Sequence, residues 1–320
     1  MANELHKNIL IICNPKAGKG KAQRIAEKLT NRLQSLDIPV GRIVTPCSVQ
    51  SMQDFHRQNA NNIDGYSLII IIGGDGTIGP IVDAMIKNNI NVPIYAFGRG
   101  TANDFARFFK TNKSIRKSSG LIAKAIKPIT IDTIKVDMPN NELDVHYAIS
   151  DAAGGAFTNG VTRYNKTAKR IFGKLAYLFT AAWKSLFIKS QNVRFTVDGQ
   201  TFEEDILLFY ILNTRNVGGL KNTCPVADPT DGELDLMCIK KCGFFGKIGV
   251  GLSLLFGRLH KSKRVIHKRG KNFYIEVLGG KVIHNFTKTD TDGNVGGDYP
   301  LTVQVGPKIT VISNHPNFSK

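Results

Sequence analysis

The phosphate-binding loop GxxxxGK[ST] occurs nowhere in the 320 residues, which excludes a Walker-type nucleotide site. Also missing is an uninterrupted apolar run of about eighteen residues, so no segment reads as membrane-spanning. The N-terminus MANELHKNIL lacks the long apolar region of a signal peptide. Cysteines are few: Cys13, Cys47, Cys224, Cys238 and Cys242 make an odd set without CxxC pairing. That pattern reads as reduced thiols in a cytosolic protein, soluble or at most peripheral to a membrane, and argues against a zinc site. Acidic residues are short as well, Asp+Glu 25 against Lys+Arg 43, a net charge of +18. Such an excess favours a polyanionic partner (nucleic acid, an anionic membrane surface or phosphates) without choosing among them. No repeat or low-complexity segment occurs.

What is present centres on Leu68–Thr77, LIIIIGGDGT. A short apolar run of mostly β-branched residues ending in glycines reads as a strand buried on both faces of a parallel sheet. Behind it Ile78, Ile81, Val82, Met85 and Ile86 recur at helical spacing. Gly73, Gly74 and Gly76 let backbone N–H groups approach a ligand, and the helix N-terminus favours negative charge, so the turn suits phosphate. Asp75 is unwelcome beside bare phosphate unless a cation lies between them. Two glycines alone would also fit an ordinary βα turn. Gly74, Gly76 and Gly79 satisfy GxGxxG, but the acidic residue a dinucleotide fold needs about twenty positions on is replaced by Gly98-Arg99-Gly100.

Strand, glycine loop and helix recur. Asn8–Cys13 leads into Asn14-Pro15-Lys16-Ala17-Gly18-Lys19-Gly20, and Ala22, Ile25, Leu29, Leu33 and Leu36 mark a helix face. Ile43–Thr45 reads as a strand, Met52–Asn59 as a helix, and Val92–Phe97 as a strand before a third loop, Gly98–Phe105. Loops at strand C-termini of a wound sheet line one crevice, and three of them make a nucleotide cleft. After Pro128 the texture becomes β-rich. Strands are expected at Ile129–Val136, Val145–Ile149, Val193–Val197, Ile206–Leu212, Leu234–Ile239, Phe273–Val277, Lys281–Phe286 and Leu301–Val305, with Asp198-Gly199 as a hairpin turn. Ile171–Phe187 reads as one helical interruption. The domains expected are 1–128, with 300–320 returning to it, and 129–299. Gly243–Leu259, apolar and glycine-rich between Lys240-Lys241 and Lys261, Lys263 and Arg264, reads equally as a membrane-dipping surface or a packed helix.

NPKAGKG at 14–20, GGDGT at 73–77, GTANDFAR at 100–107, ADPTDGELD at 227–235 and TDGNVGGDYP at 291–300 follow in order. Together they resemble the diacylglycerol kinase catalytic family, which includes bacterial lipid kinases and the sphingosine and ceramide kinases. GGDGT alone is shared with NAD kinases and is similar to a phosphofructokinase loop. The resemblance implies an α/β nucleotide-binding domain with a wound parallel sheet, a mostly β sandwich domain, and catalysis in the groove between them. It implies ATP and Mg²⁺ as cofactors. Nucleotide contacts would come from Asn14, Pro15, Lys16, Ala17, Gly18, Thr45, Gly73, Gly74, Asp75, Gly76, Thr77, Gly100, Thr101, Asn103 and Asn294. Asp75 would act through Mg²⁺ and Asp292 as general base, with Asp290 its rival. Asp228, Asp231 and the Glu233 carbonyl would form a second, metal-binding site, and two carboxylates beside a glycine turn suit a hard cation on their own chemistry.

Three departures stand out. Gly79-Pro80 replaces the usual Asn-Glu after GGDGTx, where a proline in the first helical turn is tolerable. Gly98 stands where proline is common, and Asn294 replaces the glutamate of the usual DGE. The expected function is an ATP- and Mg²⁺-dependent lipid kinase at the inner face of an anionic membrane, acting on diacylglycerol and not on nucleic acid, with room for a homodimer. The alternatives are a catalytically weak membrane- or nucleotide-binding relative, or a kinase for a sphingoid base or phosphatidylglycerol. An NAD kinase would leave the motifs after residue 200 unexplained.

Overall fold

A computed structural model describes residues 8–44, 63, 65–100, 102–111, 114–123, 128–138, 145–155, 189–279, 289–292, 294–295 and 299–315. The expected segments Met52–Asn59, Ile171–Phe187 and Lys281–Phe286 lie outside these. The chain divides into two compact units, residues 1–133 with 307–320, and residues 134–306.

In the first unit, β1 (Ile9–Cys13), β2 (Val40–Val44), β3 (Leu68–Gly73) and β4 (Ile94–Gly98) form a parallel sheet in the order β2-β1-β3-β4. Every residue of β1 and β3 is buried, as their unbroken apolar runs require. Helix α1 (Ala22–Gln34) buries Ala22, Ala26, Leu29 and Leu33, the two leucines contributing roughly 1.5–3 kcal/mol each. Ile25 is only partly buried against this core, as is Ile115 of α4 (Ile115–Ala123). Leu36, expected on the same face, lies past the helix end and is exposed, because Asp37 turns the chain at φ 57. The last segment of β15 (Leu301–Ile312) adds to the sheet through Val311 beside Ile94.

Helix α2 (Asp75–Lys87) starts at an extended Gly74 and carries Pro80 inside it. Pro80 is thus not in the first turn, where the sequence placed it, but in the second. It removes an N–H that would bond to the Gly76 carbonyl.

The second unit is mostly β. Its described strands include the end of β5 (Pro128–Asp137), β6 (Val145–Ala148), β7 (Asp151–Gly155), β8 (Gln191–Val197), β9 (Gln200–Leu212), β10 (Leu234–Lys240), β11 (Val265–Gly270), β12 (Asn272–Val277), β13 (Thr289–Thr291) and β14 (Asn294–Val295). The hairpin at Asp198-Gly199 forms as its sequence demands, with both residues at positive φ (45 and 84). Strand β9 carries β8 on its first half, and on its second half pairs with both β7 and β10. Phe195, Phe209, Phe273 and Ile275 anchor the core beneath. β7 is Asp-Ala-Ala-Gly-Gly and carries no β-branched signal. It is a strand because it is buried beside β9, a tertiary effect that local propensity misses.

Candidate active-site residues

The order β2-β1-β3-β4 reverses direction between β1 and β3, and ligands of such sheets bind at that switch point. The loops leaving β1, β3 and β4 meet there through the backbone. The N–H of Asn14 donates to the Ile72 carbonyl (3.1 Å), Gly18 to the Arg99 carbonyl (2.7 Å), and Arg99 to the Gly73 carbonyl (2.6 Å). Asn14 Nδ2 donates to Thr77 Oγ1 at 3.1 Å, and the Lys16 N–H to Asn14 Oδ1 at 3.0 Å. Three loops far apart in sequence are therefore one rigid cradle.

Glycine is required at the contact. A Cβ on Gly74 would lie 2.7 Å from the Gly100 Cα, and one on Gly100 2.5 Å from the Gly74 Cα. Backbone, not a flexible side chain, blocks both positions. Asn103, buried and left-handed at φ 53, closes the third loop: its Nδ2 donates to the Gly100 carbonyl at 2.9 Å and its Oδ1 accepts the Gly100 N–H. Gly74→Ala and Gly100→Ala are each expected to lower the melting temperature and to weaken ATP binding at least tenfold in calorimetry. Unchanged affinity in both would mean that the cradle does not hold the nucleotide.

Asp75 opens α2 and faces the start of a second short helix, α3 (Asp104–Phe108), where the Phe105 N–H donates to its Oδ1 at 3.3 Å. Burial pushes its carboxyl above the ordinary range, and backbone N–H groups of the α3 start, Phe105 foremost, pull the other way. Two features escaped the sequence. Arg99 stacks over Phe97, 4.9 Å from the ring centroid, with burial lowering its pKa. Asp104 and Asp132 are buried carboxylates of the same unit. None of them takes a role from the sequence, although Arg99 lies in the third loop and Asp104 within the GTANDFAR run. The glycine-rich backbone and an acidic side chain at a helix start fit a nucleotide polyphosphate accompanied by a divalent cation. Thr45 and Thr101 lie outside the described residues.

In the second unit, Asp292 is 6% exposed and left-handed at φ 49. Its carboxylate accepts the N–H groups of Ile149 (2.7 Å), Ser150 (2.8 Å) and Asp151 (3.2 Å), and its own N–H donates to the Asp151 carbonyl at 3.1 Å. Asp292 therefore has a structural task as well: it ties β13 to the turn before β7. Thr291 pairs with Asn294, and Asp290 with Val295.

The Asp228–Glu233 loop consists of two self-bonded turns. Asp228 Oδ1 accepts the Thr230 N–H (3.0 Å) and hydroxyl (2.7 Å), and Asp231 Oδ1 accepts the Glu233 N–H (3.0 Å). Arg269 sits on this loop, ion-paired to Asp231 and at 3.0 Å to Glu233. The donors fit a hard cation only with Arg269 turned away from Asp231.

Comparison with known proteins places the chain in a family. The diacylglycerol kinase catalytic domain family matches residues 8–136, and the YegS C-terminal NAD kinase beta sandwich-like domain matches residues 154–313. The diacylglycerol kinase of Bacillus subtilis (strain 168) is 24% identical over 296 residues, 92% of each chain. That of Staphylococcus carnosus (strain TM300) is 25% identical over 297 residues, 92% of this chain and 91% of the other. A crystal structure of a diacylglycerol kinase from Bacillus anthracis str. Sterne has the same fold, with a TM-score of 0.70 and 24% identity over 97% of this chain and 98% of that one.

Proposed function

Because the chain belongs to the diacylglycerol kinase catalytic-domain family and is a lipid kinase, we propose that it transfers the γ-phosphoryl group of ATP, with Mg²⁺, to the free hydroxyl of diacylglycerol. The observation that carries this is the fused three-loop cradle, with Asp75 at a helix start inside it. Asn14, Gly18, Gly73–Thr77, Gly100 and Asn103 hold the nucleotide, and Asp75 holds the cation. When bound, Mg²⁺ supplies charge neutralisation for the phosphates. Asp292 receives the proton of the lipid hydroxyl, its carboxylate aimed by three amides. Phosphoryl transfer asks little covalent work of a protein, so positioning and charge supply most of the rate. A lipid panel offered with ATP and read by mass spectrometry tests the substrate: diacylglycerol is expected to gain a phosphate faster than sphingoid bases or phosphatidylglycerol. ATP binding with no lipid phosphorylated would favour the binding-protein alternative that Asn294 suggests.

The lipid is reached from an anionic membrane surface. No helix among the described residues is long and apolar enough to cross a membrane. Helix α5 (Phe244–Leu255) instead turns its apolar side outward. Phe244, Phe245, Ile248, Leu252, Leu255 and Phe256 are exposed, Phe245 at 84% and Phe256 at 74%, while Val250 packs inward. Lys247, Arg258, Lys261, Lys263 and Arg264 lie in or just beyond the helix. Aromatic side chains edged by basic ones suit the interface of an anionic bilayer. Phe245→Asp with Phe256→Asp is expected to weaken sedimentation with phosphatidylglycerol vesicles at least tenfold, since burying each ring contributes about 1.5–3 kcal/mol. Added salt should weaken the remaining electrostatic part. Vesicle binding untouched by the double variant would remove α5 from the membrane contact.

A further inference from the structure

Cys224, Asp235 and His267 come from separate stretches of the chain, and none is given a ligand role above, although Asp235 closes the ADPTDGELD run. In the second unit their ligating atoms come together, all within 4.8 Å of one another. His267 Nε2 lies 2.6 Å from Asp235 Oδ1 and 3.9 Å from Cys224 Sγ. Asp235 and His267 stand on paired strands, β10 and β11, with Asp235 opposite Arg269 and His267 opposite Met237. Cys224 comes from the long loop between β9 and β10, so three separate segments converge.

Cys224 is fully buried, and Cys224-Pro225-Val226-Ala227 forms a turn in which the Ala227 N–H donates to the Cys224 carbonyl at 3.2 Å. The amides of Val226 and Ala227 act to lower the thiol's pKa, against the effect of burial. Amide donors of this kind stabilise negative charge on an acceptor. Without a cation the same sulfur is held as a thiol, its pKa pushed up to about 12 by burial and by Asp235.

We propose that Cys224, Asp235 and His267 form a binding site for a divalent zinc-type cation, distinct from the Mg²⁺ sites of the kinase reaction and independent of the diacylglycerol assignment. One thiolate, one imidazole and one carboxylate are the ligand types zinc selects, and three protein ligands leave a fourth position open for water. With bond lengths of about 2.0 Å to nitrogen and oxygen and 2.3 Å to sulfur, the ligand pairs must stand roughly 3.3–3.6 Å apart. Asp235 and His267 therefore open slightly and Cys224 closes slightly, side-chain movements of under about 1 Å. Binding replaces the thiol proton, which leaves to solvent. The formal charges of thiolate and carboxylate then cancel that of the cation. Arg269, whose Nε is 3.6 Å from Asp235 Oδ1, keeps its partners Asp231 and Glu233. The site would pin the Cys224 loop to the β10–β11 pair and act as a staple rather than a reaction centre.

The test uses the full-length, metal-free protein titrated with Co²⁺ and followed by absorbance. Expected are one equivalent bound, tetrahedral cobalt bands with a thiolate-to-metal charge-transfer band, displacement by Zn²⁺ but not by Mg²⁺, and a higher melting temperature with Zn²⁺. Cys224→Ser and His267→Gln should each weaken Zn²⁺ binding by about 100-fold or more and remove the thermal shift, with the far-UV circular dichroism preserved. Absence of a charge-transfer band, or its persistence in Cys224→Ser, overturns the site. If Cys224→Ser does not fold, His267→Gln decides alone, because unchanged Zn²⁺ affinity there is incompatible with the proposal. Loss of Zn²⁺ binding with lipid phosphorylation intact, or the reverse, separates this site from the kinase assignment.

Discussion

Asp75→Asn is expected to lower kcat by on the order of 10²–10³-fold, the usual effect of removing one preorganised charge-stabilising group, while raising the melting temperature. The activity loss follows from position. The side chain begins α2 inside the glycine cradle and is the acidic group there proposed to link cation to phosphate. The stability gain follows from burial, which raises the carboxyl's pKa in the folded protein above its unfolded value. For an acid the sign is clear: where the unfolded chain ionises and the folded one resists, stability falls as pH rises through that interval and stays lower above it. Ionised Asp75 therefore destabilises the fold at neutral pH, and a neutral isostere relieves it while Oδ1 still accepts the Phe105 N–H. Asp75→Ala should be inactive as well. Turnover on diacylglycerol vesicles together with calorimetric unfolding checks both halves. Near wild-type turnover in Asp75→Asn would remove Asp75 from the reaction.

Asp292→Asn should fail in two ways at once. As the proposed base, its loss costs about 10²–10⁴-fold in kcat. As the acceptor of three backbone N–H groups, it also supports the fold. An amide would turn an NH₂ toward a donor it cannot satisfy, at a cost of a few kcal/mol. The left-handed backbone is no obstacle, since asparagine adopts it readily. ATP affinity should stay close to wild type, because the cradle belongs to the other unit. Turnover must be normalised to folded protein by denaturant titration. A destabilised variant with full activity per folded molecule would leave Asp292 a purely structural role and pass the base to Asp290. Asn294→Glu, which restores the usual triplet, is the companion change. Raised diacylglycerol turnover would mark Asn294 as a weakened form of the family site, and flat turnover would point to another lipid.

What the sequence made legible is what neighbours along the chain determine. Leu68–Gly73 could only be a doubly buried strand, and Asp198-Gly199 only a tight hairpin, because both depend on local chemistry. The three loops were legible as a set, since each follows a strand. What was not legible depends on partners far away. Arg99 matters because its amide and carbonyl tie the third loop to the other two. Cys224, Asp235 and His267 follow no metal-ligand spacing, and only the pairing of β10 with β11 and the return of a loop bring them together. Pro80 was placed a turn too early because the helix begins at Asp75. Helix α5 could be read two ways because an apolar helix looks alike in sequence whether its surface meets protein or lipid. The exposures of Phe245 and Phe256 are tertiary facts.

The first unit is interrupted: its sheet begins at Ile9 and gains Val311 beside Ile94 only after the chain has passed through all of residues 134–306. On a ribosome, therefore, the β-rich unit emerges as a single block, while the sheet beneath the three loops waits for a strand made after it. Closing a loop that long slows folding more than it weakens the final state, because the entropic term grows only logarithmically with length. Until that closure the β4 edge stays open to pairing with other chains. The vulnerable interval of this kinase thus ends only when the last segment of β15 docks, and residues 307–312 govern it.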